Sequence, residues 1–182
     1  TEGVIGGTTW ALSREDMANG FDVLVIDEAG QMSLANLLVM ARCTKAILLV
    51  GDQQQLSQPT QADHPGESGK SCLEYLMEGA NVVPADKGIF LATSWRMAAS
   101  ITEVVSELFY DKRLQANQLN TINSIEWKKP CLSNMGLPFP NYGLVFESVT
   151  HTGCSVKSIE EIDRIEQIID DLLGGSYRHA QG

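Results

Sequence analysis

The stretch that decides the fold is Phe21–Gln31, FDVLVIDEAGQ. Its apolar run from Val23 to Ile26 is mostly β-branched, which predicts a central parallel strand covered on both faces. Asp27 and Glu28 follow at the carboxyl end of that strand, where ligands bind in open α/β sheets. Such a pair suits phosphate chemistry, because one carboxylate can hold Mg²⁺ and the next can activate a water molecule. Strands also often end in acidic residues simply to stop in solvent, and for this stretch alone that structural interpretation is the favoured one.

A second segment, Ala46–Leu56 (AILLVGDQQQL), repeats the design. An apolar strand ends at Gly51, which permits a tight exit or a close backbone approach. Asp52 and Gln55 follow, and they would lie beside the first acidic pair if the two strands are neighbours. Between the strands, Ser33–Arg42 has the apolar spacing of one helix face. The sequence therefore predicts a βαβ unit with two polar strand ends converging on one crevice.

These segments resemble the motifs of superfamily 1 helicases. DEAGQ and GDQQQL resemble motifs II and III, and Thr93–Met97 (TSWRM) resembles motif IV. Gly6–Trp10 (GGTTW) is similar to the family segment that touches the nucleic-acid strand. The closest resemblance is to the branch of RNA-surveillance and replication-type helicases, and within it to bacterial RecB-like putative helicase/nuclease proteins. It covers nearly the whole chain, most convincingly Gly3–Leu114.

The resemblance implies an α/β fold made of parts of two RecA-like domains, with parallel sheets and flanking helices. Residues 1–87 would be the second half of the first domain, and residues 88–182 the first half of the second. The chain would be a central fragment of an ATP-dependent helicase. A Walker A loop, GxxxxGK[ST], is missing from the sequence: the run Gly66–Ser71 (GESGKS) has His64 where the pattern needs Gly. We therefore expect the isolated chain to be inactive.

The resemblance also implies roles for the residues at the first two strand ends. Asp27 would coordinate Mg²⁺, and Glu28 would act as the base for the attacking water. Gln55 would sense the γ-phosphate of ATP. Gly51 and Asp52 would support the same nucleotide site.

Further residues complete the implied site. Arg96 would reach the γ-phosphate from the second domain, and Trp95 would pack near the nucleotide base. Thr8 and Thr9 would contact single-stranded DNA or RNA. A surface ion pair for Arg96, core packing for Trp95 and an ordinary strand role for the threonines remain alternatives. We expect Trp10 to fill a core.

Composition bounds the function. The chain has 182 residues, 43% of them hydrophobic, and a net charge of −10, so this piece alone should bind nucleic acid weakly. The four cysteines are scattered without metal-ligand spacing, and no apolar run approaches the roughly 20 residues of a membrane span. No basic-then-apolar leader begins the chain, and we expect a cytoplasmic protein. A non-catalytic nucleic-acid or protein-binding module that has lost its phosphate loop is the alternative function, and the oligomeric state stays open.

The remaining pattern predicts further elements along the chain. We expect strands at Val4–Gly7, Gly88–Thr93 and Gly143–Val149, and helices at Ser71–Glu78, Ser100–Tyr110 and Ser158–Leu173. The last helix should begin with a capping box of Ser158 and Glu161, and its isoleucine stripe should pack on a core. We expect Asp111–Tyr142 to be irregular and Ser176–Gly182 to be a tail.

Overall fold

The computed structural model describes residues 3–56 and 64–178, and it divides the chain into two compact units, Thr1–Phe90 and Leu91–Gly182. The class is α/β, and the described residues form two small parallel sheets and one antiparallel sheet, each of two strands. The domain boundary between residues 87 and 88 stays a prediction. The assignment of the units to halves of two RecA-like domains stays a prediction.

The first unit contains the predicted βαβ arrangement. Its elements are α1 (Thr9–Leu12), β1 (Phe21–Ile26), α2 (Leu34–Met40), β2 (Thr44–Leu49) and α3 (Cys72–Met77), with 3₁₀ turns at Glu15–Met17, Ala41–Cys43 and Gly66–Gly69. Helix α2 begins where Ser33 accepts a hydrogen bond from the Asn36 amide. Helix α3 begins with a complete capping box of Ser71 and Glu74. Strands β1 and β2 pair in parallel, as the sequence predicts.

One face of this sheet packs on the helices and the other does not. Leu24 and Ile26 are buried in a cluster with Met40 of α2 and Leu73 of α3. On the opposite face, Val23 is 54% exposed, and its neighbour two residues on is similarly exposed. The prediction of a strand covered on both faces is therefore wrong, because the described residues supply helices to one face only.

The beginning of the chain also differs from prediction. The described residues before α1 contain no strand, and the side chains of Val4 and Ile5 are exposed. The glycines around them leave little side-chain surface to pack, which weakens a strand. Trp10 is 85% exposed, so the expectation that it fills a core is wrong.

The second unit has fewer regular strands than the pattern predicts. Its elements are β3 (Thr93–Ser94), α4 (Ala99–Phe109), β4 (Gln115–Ala116), a 3₁₀ turn (Gln118–Ile122), β5 (Ser124–Glu126), α5 (Ile159–Leu173) and β6 (Ser176–Arg178). The strand predicted over residues 88–93 shrinks to β3, which pairs in parallel with β4. The strand predicted over residues 143–149 is wrong, because it finds no partner strand among the described residues. Part of the predicted tail is strand β6, antiparallel to β5, while residues 179–182 lie outside the described part.

Most of the predicted isoleucine stripe of helix α5 does not pack on the rest of its unit. Its capping serine, Ser158, accepts from the Glu161 amide, but the Glu161 carboxylate contacts His151 at 3.2 Å, so the predicted capping box is half formed. Arg164 is the side chain turned inward. Much of the predicted packing stripe is exposed, including Ile159, Ile162, Ile165, Ile169 and Leu173.

Within residues 3–56 and 64–178, no helix combines the length and the apolar character needed to span a bilayer.

Candidate functional site

The parallel pairing of β1 and β2 brings two polar strand ends to one edge of the sheet. Ile26 lies opposite Leu49, so the strands end level with each other. The Val50 amide donates to the Ile26 carbonyl at 2.8 Å, and the Ala29 amide donates back to the Val50 carbonyl at 2.9 Å. The ladder thus continues past both strands into their turns. We call the turn at residues 27–31 the first acidic turn and the turn at residues 51–55 the second acidic turn. The two turns therefore lie side by side.

The first acidic turn holds its carboxylates in a fixed local geometry. The Glu28 amide donates to Oδ1 of Asp27 at 2.9 Å, and the Gln31 amide closes the turn on the Glu28 carbonyl at 2.8 Å. Glu28 has a φ of 53°, in the left-handed region that residues other than glycine seldom enter. Asp27 and Glu28 are both exposed. The turn therefore presents two carboxylates to solvent on a locally strained backbone.

The second acidic turn is shaped by Asp52. Its Oδ1 accepts a hydrogen bond from the Gln54 amide at 3.0 Å, and its carbonyl accepts from the Gln55 amide at 3.4 Å. The side chain of Gln53 is bonded to a different segment of the first unit, since its Nε2 donates to the Asn81 carbonyl at 2.6 Å. Gln55 is exposed. The turn thus offers the Gln55 side chain at the sheet edge while Gln53 anchors it elsewhere.

Two glycines allow the acidic turns to touch through their backbones. An ideal Cβ on Gly30 would lie 2.3 Å from the Asp52 carbonyl oxygen. Gly51 has a φ of +153°, and a Cβ there would lie 2.8 Å from the Ala29 nitrogen. The close backbone approach that the sequence suggests for Gly51 is therefore present. Gly30 makes an equally close approach, which the sequence reading did not single out.

Asp27 has the ligand capacity that a magnesium ion requires. Its Oδ2 makes no hydrogen bond with any residue in the described ranges, while Oδ1 is used by Glu28. Those ranges contain no group of three or more His, Cys, Asp or Glu side chains placed to hold a metal. Mg²⁺ is commonly bound by one or two carboxylates together with waters and substrate phosphates, so a single available carboxylate fits this ion. The donor set does not suit a metal that needs an all-protein site.

The two threonines serve a local structural purpose. Thr8 caps the four-residue helix α1, accepting a hydrogen bond from the Ala11 amide at 3.4 Å, and Thr9 is the first residue of that helix. Neither lies in a strand, so the ordinary strand role is wrong for both. Within the described part of the chain, no hydrogen bond links Thr8 or Thr9 to the acidic turns.

Trp95 and Arg96 lie in the second unit, between β3 and α4. The Met97 amide donates to Oγ of Ser94 at 3.2 Å and fixes the turn that carries them. Trp95 is 72% exposed, so the core-packing alternative is wrong for this residue. Arg96 is also exposed and forms no ion pair with any residue that the structure describes. The surface ion-pair alternative therefore has no support among those residues.

The second unit also contains a pocket of about 430 Å³ between α4 and β4. Its lining includes the buried residues Thr102 and Ser106, whose hydroxyls are both engaged in hydrogen bonds. Glu107 and Lys112 also line it, and their charged groups form an ion pair 3.0 Å apart. None of the predicted site residues lines this pocket. The acidic turns of the first unit therefore remain the candidate site.

Sequence reasoning found the polar residues of the site but missed the parts that fix them. Asp27, Glu28, Asp52 and Gln55 come to one sheet edge, as their strand ends predict. The left-handed conformation of Glu28 has no sequence signal, because glutamate is not a residue type that favours it. Gly30, directly inside DEAGQ, did offer a signal, since a glycine after a strand end often marks close backbone approach.

Comparison with known proteins finds one family model and several relatives that are similar to part of this chain. A family model described as an AAA domain matches residues 2–61, a range that includes both acidic turns. The chain is 35% identical over 105 residues to replicase polyprotein 1ab of Bat coronavirus HKU9, covering 55% of this chain and 1% of that protein. It is 29% identical over 106 residues to DNA replication ATP-dependent helicase/nuclease DNA2 of Gallus gallus, covering 57% and 10%.

A third relative, probable helicase MAGATAMA 3 of Arabidopsis thaliana, is 32% identical over 114 residues, covering 60% of this chain and 13% of that protein. The chain thus spans only a small part of the length of the relatives it matches. More than half of it is similar, at low identity, to proteins of which two carry the name helicase.

Proposed function

We propose that this chain is part of an ATP-dependent superfamily 1 helicase or translocase that couples hydrolysis of Mg-ATP to movement on a single strand of DNA or RNA. The observation that carries the proposal is the backbone contact between the two acidic turns at one edge of a parallel sheet. Ligands bind at this edge in open α/β proteins. The similarity to relatives named as helicases supports the same function.

In this proposal the first acidic turn works on the phosphates. Asp27 would hold Mg²⁺, since only one of its carboxylate oxygens is used by the Glu28 amide, and the ion would neutralise phosphate charge. The exposed Glu28 carboxylate accepts the proton of the attacking water. Its left-handed backbone supports a functional role, because strained conformations cluster at active sites.

The second acidic turn contributes the amide of Gln55, which contacts the γ-phosphate, and Asp52 stabilises the turn that presents it. Gly51 permits the close approach of the two turns. Both polar side chains therefore act on the substrate side of one sheet edge.

The remaining predicted roles belong to the second unit and to α1. Arg96 contacts the γ-phosphate from the second RecA-like domain, and its exposed guanidinium is available for that contact. Trp95 stacks on the nucleotide base, and its large exposed ring surface suits such a role. Thr8 and Thr9 contact the nucleic-acid backbone through hydroxyl and amide groups. The parent protein works in the cytoplasm.

The isolated chain should not hydrolyse ATP at a useful rate. No GxxxxGK[ST] pattern occurs in its 182 residues, and in enzymes of this kind that loop cradles the phosphates. The net charge of −10 also predicts weak strand binding by this piece alone. A purified sample with Mg²⁺-dependent turnover that disappears in Glu28→Gln would contradict this expectation.

The decisive experiment measures ATP turnover of the full-length protein with and without single-stranded DNA or RNA. Glu28→Gln should lower kcat at least about 100-fold while nucleotide binding stays close to wild type, since the amide cannot accept the proton. Glu15→Gln, at another exposed glutamate of the first unit, is the matched control and should leave turnover unchanged. Absence of turnover in the full-length protein, or equal turnover in both variants, would favour the non-catalytic binding module instead.

A further inference from the structure

The second acidic turn is held from two sides. On one side its Asp52 carbonyl lies against the backbone of Gly30, and on the other the Gln53 side chain is bonded to the Asn81 carbonyl. Gly30 has no side chain, and the amide nitrogen of Gln53 is already used by the Asn81 carbonyl. Both instead determine where Asp52 and the residues after it lie relative to the first acidic turn.

On the Gly30 side the fit excludes any side chain. A Cβ would approach the Asp52 carbonyl oxygen to 2.3 Å and the Asp52 carbonyl carbon to 3.0 Å. Gly30 does not have a positive φ, so alanine is excluded by this contact and not by its own backbone conformation. Because the obstructing atoms are backbone atoms at the end of a paired strand, they cannot move aside by a change of rotamer. A methyl group at residue 30 would therefore push the two turns apart.

On the other side the Gln53 amide acts as a tether. Its Nε2 donates to the Asn81 carbonyl across 28 residues of sequence, at a short 2.6 Å. Asn81 follows the end of α3, next to Val82, which is buried. The tether therefore connects the turn to a fixed part of the first unit. Glutamate has nearly the same shape as glutamine but lacks the N–H donor, so Gln53→Glu would break the tether without changing its size.

We propose, on the basis of the proposed function, that Gly30 and Gln53 are positioning residues that hold the second acidic turn against the first. Gly30 sets how closely the turns approach, and Gln53 keeps the second turn from moving away. Gln55 and the Asp27–Glu28 pair then meet one phosphate group in a fixed geometry. A displacement of about 1 Å at such a site can cost on the order of 100-fold in rate, while substrate binding, spread over more contacts, changes little.

The test uses the full-length protein and separates kcat from nucleotide affinity. Gln53→Glu should lower kcat about 10-fold or more with nucleotide Kd within about 3-fold of wild type. Gln54→Glu introduces the same charge on the adjacent exposed residue, whose side chain makes no hydrogen bond with the described residues, and should leave both quantities unchanged. Gly30→Ala should lower kcat in the same way, and Gly3→Ala, which meets nothing within 4 Å, is its control.

Hydrogen exchange supplies a readout that does not depend on activity. The amide of Gln54, bonded to Asp52, should exchange faster in Gln53→Glu than in Gln54→Glu if the tether holds the turn. If Gly30→Ala fails to fold, the kinetic and hydrogen-exchange measurements on Gln53→Glu test the proposal without it, because that change is isosteric and close to the surface.

The outcomes distinguish this proposal from the proposed function itself. If Glu28→Gln retains full turnover, the hydrolytic site is wrong, and the exchange rates alone decide whether the tether orders the turn. If Glu28→Gln abolishes turnover but Gln53→Glu matches Gln54→Glu in kcat and exchange, the positioning proposal is overturned. Equal losses of kcat and nucleotide affinity in Gln53→Glu would also overturn it, because they would indicate general damage to the site.

Discussion

The guanidinium of Arg164 lies 2.8 Å from the carboxylate of Glu147, and the two side chains are only 13% and 14% exposed. Arg164 also donates to the Leu132 carbonyl and lies over the ring of Phe139, 5.8 Å from its centroid. The Glu147 carboxylate accepts a second hydrogen bond from the Asn134 amide at 2.8 Å. One ion pair thus joins helix α5 to the long irregular segment that precedes it.

Removal of this arginine should destabilise the second unit. Arg164→Ala leaves the largely buried Glu147 carboxylate without its cation, and loss of one partner of a buried pair typically costs about 3 kcal/mol or more in the free energy of unfolding. Arg14→Ala is the control: its pair with Asp16 is more than half exposed, and such pairs contribute about 1 kcal/mol or less. Urea denaturation followed by circular dichroism measures both. Similar losses in the two variants would show that the Arg164 pair carries no special weight.

The stability of the chain should depend on pH through Cys72. Burial raises the pKa of its thiol from 9.0 to about 11, because the thiolate is poorly solvated there. The unfolded chain loses this proton more readily, so the stabilising contribution is complete below pH 9 and is lost as the pH rises from 9 towards 11. The thermal midpoint of wild type should therefore fall more steeply over that range than that of Cys72→Ala.

The matched control for this pH dependence is Cys154→Ala, which removes a thiol that is only partly buried. Subtracting each variant's curve from that of wild type removes the contribution of all titrating groups that the two chains share. Identical slopes for wild type and Cys72→Ala between pH 9 and 11 would contradict the prediction.

Because of the backbone conformation of Glu28, a substitution there should raise stability and lower activity at the same time. With a φ of 53°, this glutamate adopts a backbone that glycine occupies without a steric penalty. Glu28→Gly should therefore raise the free energy of unfolding by up to about 1 kcal/mol while abolishing turnover in the full-length protein. Glu15→Gly, in a 3₁₀ turn without positive φ, should instead lower stability by about 0.5–1 kcal/mol. Thermal unfolding of both variants checks the difference in sign.

Arg96 should affect turnover much more than nucleotide binding. In the full-length protein, Arg96→Ala should abolish ATP turnover, because a guanidinium that stabilises charge on the γ-phosphate acts mainly in the reacting state. Arg96→Lys should rescue poorly, since lysine lacks the planar fork of donors. Nucleotide affinity and strand-stimulated turnover are measured for both. Arg14→Ala again serves as a control, and near-normal turnover in Arg96→Ala would leave the motif IV interpretation without support.

The sequence predicts the first unit better than the second for a physical reason. The β1–α2–β2 arrangement is local, and its apolar runs, Ser33 cap and strand ends are all encoded within about 30 neighbouring residues. The strand predicted at residues 143–149 depends on a partner strand, and pairing is not written in the segment itself. The same limit explains why the sequence predicts a tail where β6 forms. Its partner strand is β5, and Ser176 of β6 lies opposite Glu126, 50 residues earlier in the chain.

Burial was the harder quantity to predict. The alternating and helical patterns identify apolar faces, but they do not say which face the rest of the chain covers. In α5 the inward position belongs to Arg164, while Ile165 next to it is exposed. At the candidate site, the types and order of the polar residues were enough to predict that Glu28 and Asp52 lie at the same sheet edge. The backbone strain of Glu28 and the tether of Gln53 depend on three-dimensional contacts that no local pattern encodes.

The uncovered face of the β1–β2 sheet has a consequence for the behaviour of the chain in solution. Val25 is 58% exposed and Leu48 53%, on a sheet whose edges can accept further strands. Mutual repulsion between molecules of net charge −10 opposes self-association through this surface near neutral pH. Near the isoelectric point of about 4.6, or in concentrated salt, that repulsion disappears. The colloidal stability of the isolated chain therefore depends on the excess of acidic residues that gives it a negative charge. Light scattering should show particles growing as the pH falls towards 4.6.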